Sequence, residues 1–147
     1  MWSDPVVNRY TTGRPLTPEE AWGKTLRNAG LWPVLGYGYW AIEETSSGLF
    51  VGETGFAEFH RDIQPSIAGV PELGYVLCSL AQGKGYATEA VSAAIAWADR
   101  QLHARRTVCL IHDGNAASIR LAEKCGYCEL QRTEYKGNNV IIFERLI

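Results

Sequence analysis

The chain has 147 residues, of which 46% are hydrophobic and 20% charged, with a formal net charge of −2. This composition excludes a disordered chain and offers no basic stripe for a polyanion, so no nucleic-acid partner is expected. No apolar run approaches the roughly 18 residues of a membrane span, and Met1-Trp2-Ser3-Asp4-Pro5 is not a signal peptide. A cytoplasmic protein of one domain over residues 1–147, with no membrane partner, is expected.

In chain order, Thr17-Pro18-Glu19-Glu20 opens a helix: a Thr cap, Pro at the first helical position and Glu three residues after the Thr. The pattern carries that helix to about Asn28, with Gly30 past its end. Tyr37 to Glu44 and Leu49 to Glu58 form a hairpin around Thr45-Ser46-Ser47-Gly48. Arg61 to Pro71 reads as loop, and Glu72 to Ser79 as a third strand. Gly85 opens a long helix whose buried stripe is Ala87, Ala90, Val91, Ala94, Ile95, Ala98 and Leu102. Thr107 to His112 is an apolar, sheet-centre strand. Asp113 or Asn115 caps a helix that ends at Gly126. Two closing strands, Tyr127 to Tyr135 and Val140 to Leu146, turn at Lys136-Gly137-Asn138-Asn139. The order predicts an α/β fold: a mixed, mostly antiparallel sheet with flanking helices and one parallel, right-handed β-α-β crossover from Glu72 to His112.

Four cysteines lie at 78, 109, 125 and 128. Cys125 and Cys128 have zinc half-site spacing, but no second pair follows, so no metal is expected and the thiols read as reduced. Five Trp and seven Tyr predict a large aromatic core or a lined cleft.

The chemistry concentrates in Leu80-Ala81-Gln82-Gly83-Lys84-Gly85-Tyr86-Ala87-Thr88-Glu89-Ala90. It joins a strand to a helix through two glycines. Unpaired N–H groups at a helix start carry partial positive charge, and glycine lets an anion approach the backbone. The P-loop pattern fails, because Cys78 and Gly85 stand where Gly and Ser or Thr are needed. The dinucleotide fingerprint fails at Thr88. Gln/Arg-x-x-Gly-x-Gly/Ala is satisfied by Gln82, Gly85 and Ala87.

That last pattern resembles the pyrophosphate loop of the GNAT N-acetyltransferase superfamily. Glu72-Leu73-Gly74-Tyr75-Val76-Leu77, the Gln82 to Ala90 run, Asn115-x-x-Ser118 and Glu123-Lys124-Cys125-Gly126-Tyr127 resemble its ribosomal-protein N-terminal acetyltransferase (RimJ/RimL-like) branch. Glu134-Tyr135-Lys136-Gly137 and Phe143-Glu144-Arg145 continue the likeness. The resemblance implies a single GNAT domain that moves acetyl directly from acetyl-CoA to a primary amine, on a protein N-terminus or a small molecule. The alternative is a catalytically weak acetyl-CoA-binding module.

The resemblance also implies roles. Val76, Leu77 and Cys78 would meet the pantetheine arm through main chain. Gln82, Gly83, Lys84, Gly85, Tyr86, Ala87 and Thr88 would hold the pyrophosphate. Asn115 would bind pantetheine as well as cap its helix. Many members carry a Tyr seven residues after this Asn as general acid, but Ala122 stands there. In the resembled branch the role falls to the Ser three residues on, which is Ser118. Glu134 matches the branch's catalytic carboxylate, with Glu53 and Glu58 as rivals five residues apart on one strand. His60 and His112 read as loop and strand-end residues. Members of this branch usually carry a strand and helix before a Trp-Ser-Asp-Pro-like stretch. An uncovered sheet edge, and with it a homodimer or strand exchange, is therefore expected here.

Overall fold

The computed structural model describes residues 1–147. A short helix α1 (Pro5–Asn8) precedes α2 (Pro18–Leu35), and β1 (Tyr39–Glu43), β2 (Phe50–Ala57) and β3 (Glu72–Leu77) follow. Then come a 3-10 turn (Ser79–Ala81), α3 (Tyr86–Gln101), β4 (Arg106–His112), α4 (Ala116–Lys124), β5 (Cys128–Tyr135) and β6 (Asn138–Leu146). The strands form one six-stranded sheet in the order β1-β2-β3-β4-β6-β5. Only the β3–β4 junction is parallel. The expected mixed α/β sheet with a central crossover is present, and β1 is an outer strand.

The first large helix starts as its sequence dictates. Thr17 accepts from the Glu20 N–H, and the Glu20 carboxylate accepts from the Thr17 N–H, closing a capping box. Its end is a correction: α2 runs through Gly30 and Pro33 and stops at Leu35. Gly36 caps it in the left-handed region, at φ 78°. Pro33 removes one helical donor, yet Leu31 and Trp32 anchor the last turn by packing, so the helix continues past it. The closing hairpin is also tighter than expected. Lys136 and Gly137 both have positive φ and form a two-residue loop, while Asn138 and Asn139 belong to β6. The α1 turn was not foreseen; Asp4 caps it, and fully buried Asn8 ties the segment by donating to the Trp2 and Asp4 carbonyls.

The two faces of the sheet are covered differently. Val91, Ala94, Ile95 and Ala98 of α3 and Ala122 of α4 pack on Phe56, Leu73, Cys109, Ile111, Ile141 and Phe143. On the other face, Ile63 and Ile67 of the β2–β3 connection cover Val108, Val140 and Ile142. Tyr127 precedes β5 instead of starting it: its ring is buried in the α3–α4 core, and its hydroxyl lies 2.6 Å from the Thr107 hydroxyl.

Candidate active site

The sheet opens at its centre. The β3–β4 ladder has a single register pair, Glu72 with Val108, fixed by the Val108 N–H donating to the Pro71 carbonyl at 3.0 Å. Beyond it the parallel strands diverge. The Cys78 N–H donates to the Val51 carbonyl at 2.9 Å, so the backbone of Cys78, and by alternation that of Val76, points at β2. Tyr75 and Leu77 therefore turn their main-chain groups toward the opening. Of the expected triad Val76, Leu77 and Cys78, only Leu77 turns its main chain to the opening, and Tyr75, outside that triad, does so as well. Strand parity read from the Val51 pairing is the signal that finds it.

Tyr75 also spans the opening. Its hydroxyl donates to the Ser118 carbonyl on α4 at 3.0 Å. Burial raises this phenol well above the tyrosine range, so it stays protonated and remains a donor. Asn115 accepts from the Ser118 N–H at 3.2 Å and caps α4, which settles the choice against Asp113. Its amide nitrogen and the Ser118 hydroxyl have no hydrogen-bond partner in the chain. Asn115 stands at the cap and Ser118 in the first turn of α4, which follows β4.

The glycine loop leads from β3 into α3. Gly83 and Gly85 have φ of 76° and 87°, a region that favours glycine, and Gly85 is the α3 cap. Apart from the intrahelical ladder, the chain's backbone donors include none of the N–H groups from Gly83 to Thr88. Six successive amides at a helix N-terminus are thus free to bind an anion. The Lys84 side chain is exposed beside them. Gln82 donates to the Leu77 carbonyl at 3.4 Å and joins the loop to the strand end. The Ser79 hydroxyl donates to Asp4 at 2.5 Å, tying α1 to the same connection.

The carboxylates separate by face. Glu134 lies on outer strand β5 opposite Asn139, exposed and without an ion pair. It shares a face with Arg132, which sits opposite core residue Ile141, so that face is the one carrying α4. Glu53 lies on the opposite face. Asn28 of α2 donates to it at 3.3 Å, and burial raises its carboxyl above the ordinary value against the pull of Lys24 and Arg27. Glu58 is taken up by His60 at 2.7 Å. His112 accepts from the Gly114 N–H at 3.0 Å through Nδ1, and its ring lies 5.3 Å from that of Tyr10. No group of three or more His, Cys, Asp or Glu side chains is placed to hold a metal, and the four cysteines are free. No helix is long and apolar enough to cross a membrane.

Comparison with known proteins agrees with this geometry. A family model described as an acetyltransferase (GNAT) domain matches residues 1–128. An uncharacterized Bacillus subtilis protein, YkkB, is 34% identical over 113 residues, which are 75% of this chain and 63% of that protein. The chain thus spans less than two thirds of this curated relative. A GNAT-family acetyltransferase structure from Bordetella pertussis superposes with a TM-score of 0.82 at 32% identity, covering 88% of this chain and 78% of the other. A ribosomal-protein-S5-alanine acetyltransferase from Vibrio fischeri superposes at 0.71 and 18% identity, over 97% and 83%. Spermidine N-acetyltransferase from Vibrio cholerae, solved with CoA and spermine, does so at 0.71 and 16%, over 98% and 84%. The last two likenesses show the fold. An opened parallel junction, a glycine loop at a helix start and a matching family model over most of its length place this chain in the GNAT acetyltransferase family.

Proposed function

We propose that the protein transfers an acetyl group from acetyl-CoA to a primary amine, on a peptide N-terminus or a small molecule. The observation that carries this reading is the continuity of free backbone groups, from the Tyr75 main chain and the Leu77 N–H in the opening to the amides of Gly83 through Thr88. An extended amide-bearing arm can pair with the first, and a diphosphate can sit on the second. Bound acetyl-CoA supplies the activated acetyl group, and its thiol is the leaving group.

The chain's own residues would do the rest. Gly83, Lys84, Gly85, Tyr86, Ala87 and Thr88 hold the diphosphate, and Gln82 fixes the loop against Leu77. The free amide nitrogen of Asn115 donates to the arm. The Ser118 hydroxyl hydrogen-bonds the departing sulfur, in the place where Ala122 offers no phenol. A main-chain N–H in the opening polarises the acetyl carbonyl, an effect worth about 3–4 kcal/mol in other acyl-transfer sites. Glu134 takes the amine proton on the α4 face. Glu53 is its rival on the α2 face, favoured by burial that brings its carboxyl closer to the amine range. The two assignments differ in which face the amine enters, so Glu134→Gln and Glu53→Gln distinguish them through the acid limb of the pH–rate profile.

The test is thiol release from acetyl-CoA over a panel of peptide α-amines, polyamines and aryl-alkyl amines, using the whole chain. Amine-dependent release with an acetylated product is expected. Tight acetyl-CoA binding without turnover on any amine would leave the binding-module reading.

A further inference from the structure

The two lips of the opening are joined at two places. At the closed end, Glu72 pairs with Val108. Three residues on, about 10 Å along the strand at the usual rise, the Tyr75 hydroxyl donates to the Ser118 carbonyl at 3.0 Å. This is the one side-chain hydrogen bond between β3 and α4. Its near end is braced. The Tyr75 ring packs against the core beneath α3 and α4, and the Thr54 hydroxyl donates to the neighbouring Gly74 carbonyl at 3.1 Å, tying β3 to β2. A tyrosine side chain turns about only two torsions, so its reach is nearly fixed.

The far end needs the strut. Ala122 is the one buried residue of α4, and it lies in the second half of the helix. The first turn, Ala116 to Ile119, has no buried side chain and is held otherwise by the Asn115 cap. Yet cap and turn carry the unpartnered Asn115 amide nitrogen and Ser118 hydroxyl. Misplacing a group at the reacting atoms by about 1 Å can cost about a hundredfold in rate. Tyr75 also turns its main chain to the opening, so this one residue links the backbone edge to the polar groups facing it.

We propose that Tyr75 is a positioning residue of the transfer: its side chain holds the first turn of α4, and with it the Ser118 hydroxyl and the Asn115 amide, at a set distance from the β3 edge. The catalytic part of this proposal rests on the acetyltransferase reading; the strut itself does not.

Tyr75→Phe keeps the ring and removes the hydroxyl. In the unliganded chain, amide exchange from Ala116 to Ile119 should speed up at least about threefold, which tests the strut without any substrate. With acetyl-CoA and an accepted amine, kcat should fall about tenfold while the acetyl-CoA Kd moves by less than about threefold. In a Ser118→Ala background the fall should shrink to less than about twofold, because the hydroxyl being placed is then gone. Tyr127→Phe is the control. It removes the phenol's hydrogen bond to Thr107 in the same core and should leave kcat unchanged. Unchanged exchange, an equal fall in both backgrounds, or an equal fall in Tyr127→Phe would overturn the proposal. A wild-type chain that binds no acetyl-CoA would overturn the acetyl-transfer reading and the catalytic part with it, and exchange would still decide the strut.

Discussion

Strand β4 has two neighbours and pairs with them very differently. Against β6 it is paired at every residue from Arg106 to His112. Against β3 it is paired only where Glu72 meets Val108. The closed side rests on the core formed by Cys109, Ile111, Ile141 and Phe143 beneath the two helices. The open side carries Tyr75, Leu77, Asn115 and Ser118. The Tyr75 main chain and the Leu77 N–H there give up sheet hydrogen bonds, which a partner in the opening would recover. The stable edge of β4 thus holds the frame from which the unpaired edge can work.

Substitutions should separate the two sides. The largest loss of stability is expected on the closed side. Phe143 is 1% exposed, so Phe143→Ala should lower unfolding free energy by about 3–5 kcal/mol, read from denaturant midpoints. On the open side the loss should appear in catalysis. Ser118→Ala should slow turnover by about a hundredfold at saturating substrate while leaving the melting temperature in place. An equal fall in stability would make Ser118 a packing residue and blur the distinction.

Gly85 lies where frame and site meet. Gly85→Ala forces a Cβ into the left-handed region and should cost about 1–2 kcal/mol. Acetyl-CoA affinity should fall with it, because the six loop amides depend on that turn. The smallest effect is far from the opening. Glu20, held to about 2 by the Arg14 side chain, is an exposed member of the α2 capping box. Its folded pKa lies below the ordinary carboxylate value, so its contribution is complete above about pH 4.5. That contribution fades as pH falls toward 2, and Glu20→Gln should flatten this acid limb of the stability curve.

Most of the frame was legible because its signals are local. The capping box at Thr17 to Glu20, the stripe of α3 and the glycines at 85 and 126 each act within a few residues. The helix α2 continues past the local stop signals Gly30 and Pro33 because Leu31 is buried and Trp32 packs on the distant rings of Trp40 and Trp97. The loop of the site was legible for the same local reason, and its context came from resemblance. Two features were not. Which main-chain groups face the opening depends on the β2–β3 register, which no single strand encodes. The sorting of Glu53 and Glu134 to opposite faces depends on the whole sheet. A period of two places neighbours on alternate faces, but does not say which face a separate strand will share.

The central claim is that the opened junction and the glycine loop together bind acetyl-CoA. Calorimetric and thermal titration of one preparation with acetyl-CoA, ATP and NAD tests it most directly. The account predicts saturable binding of acetyl-CoA, with about 2.7 kcal/mol of added stability at a hundredfold excess over Kd and no comparable gain from ATP or NAD. Equal stabilisation by all three, or none by acetyl-CoA, would contradict it.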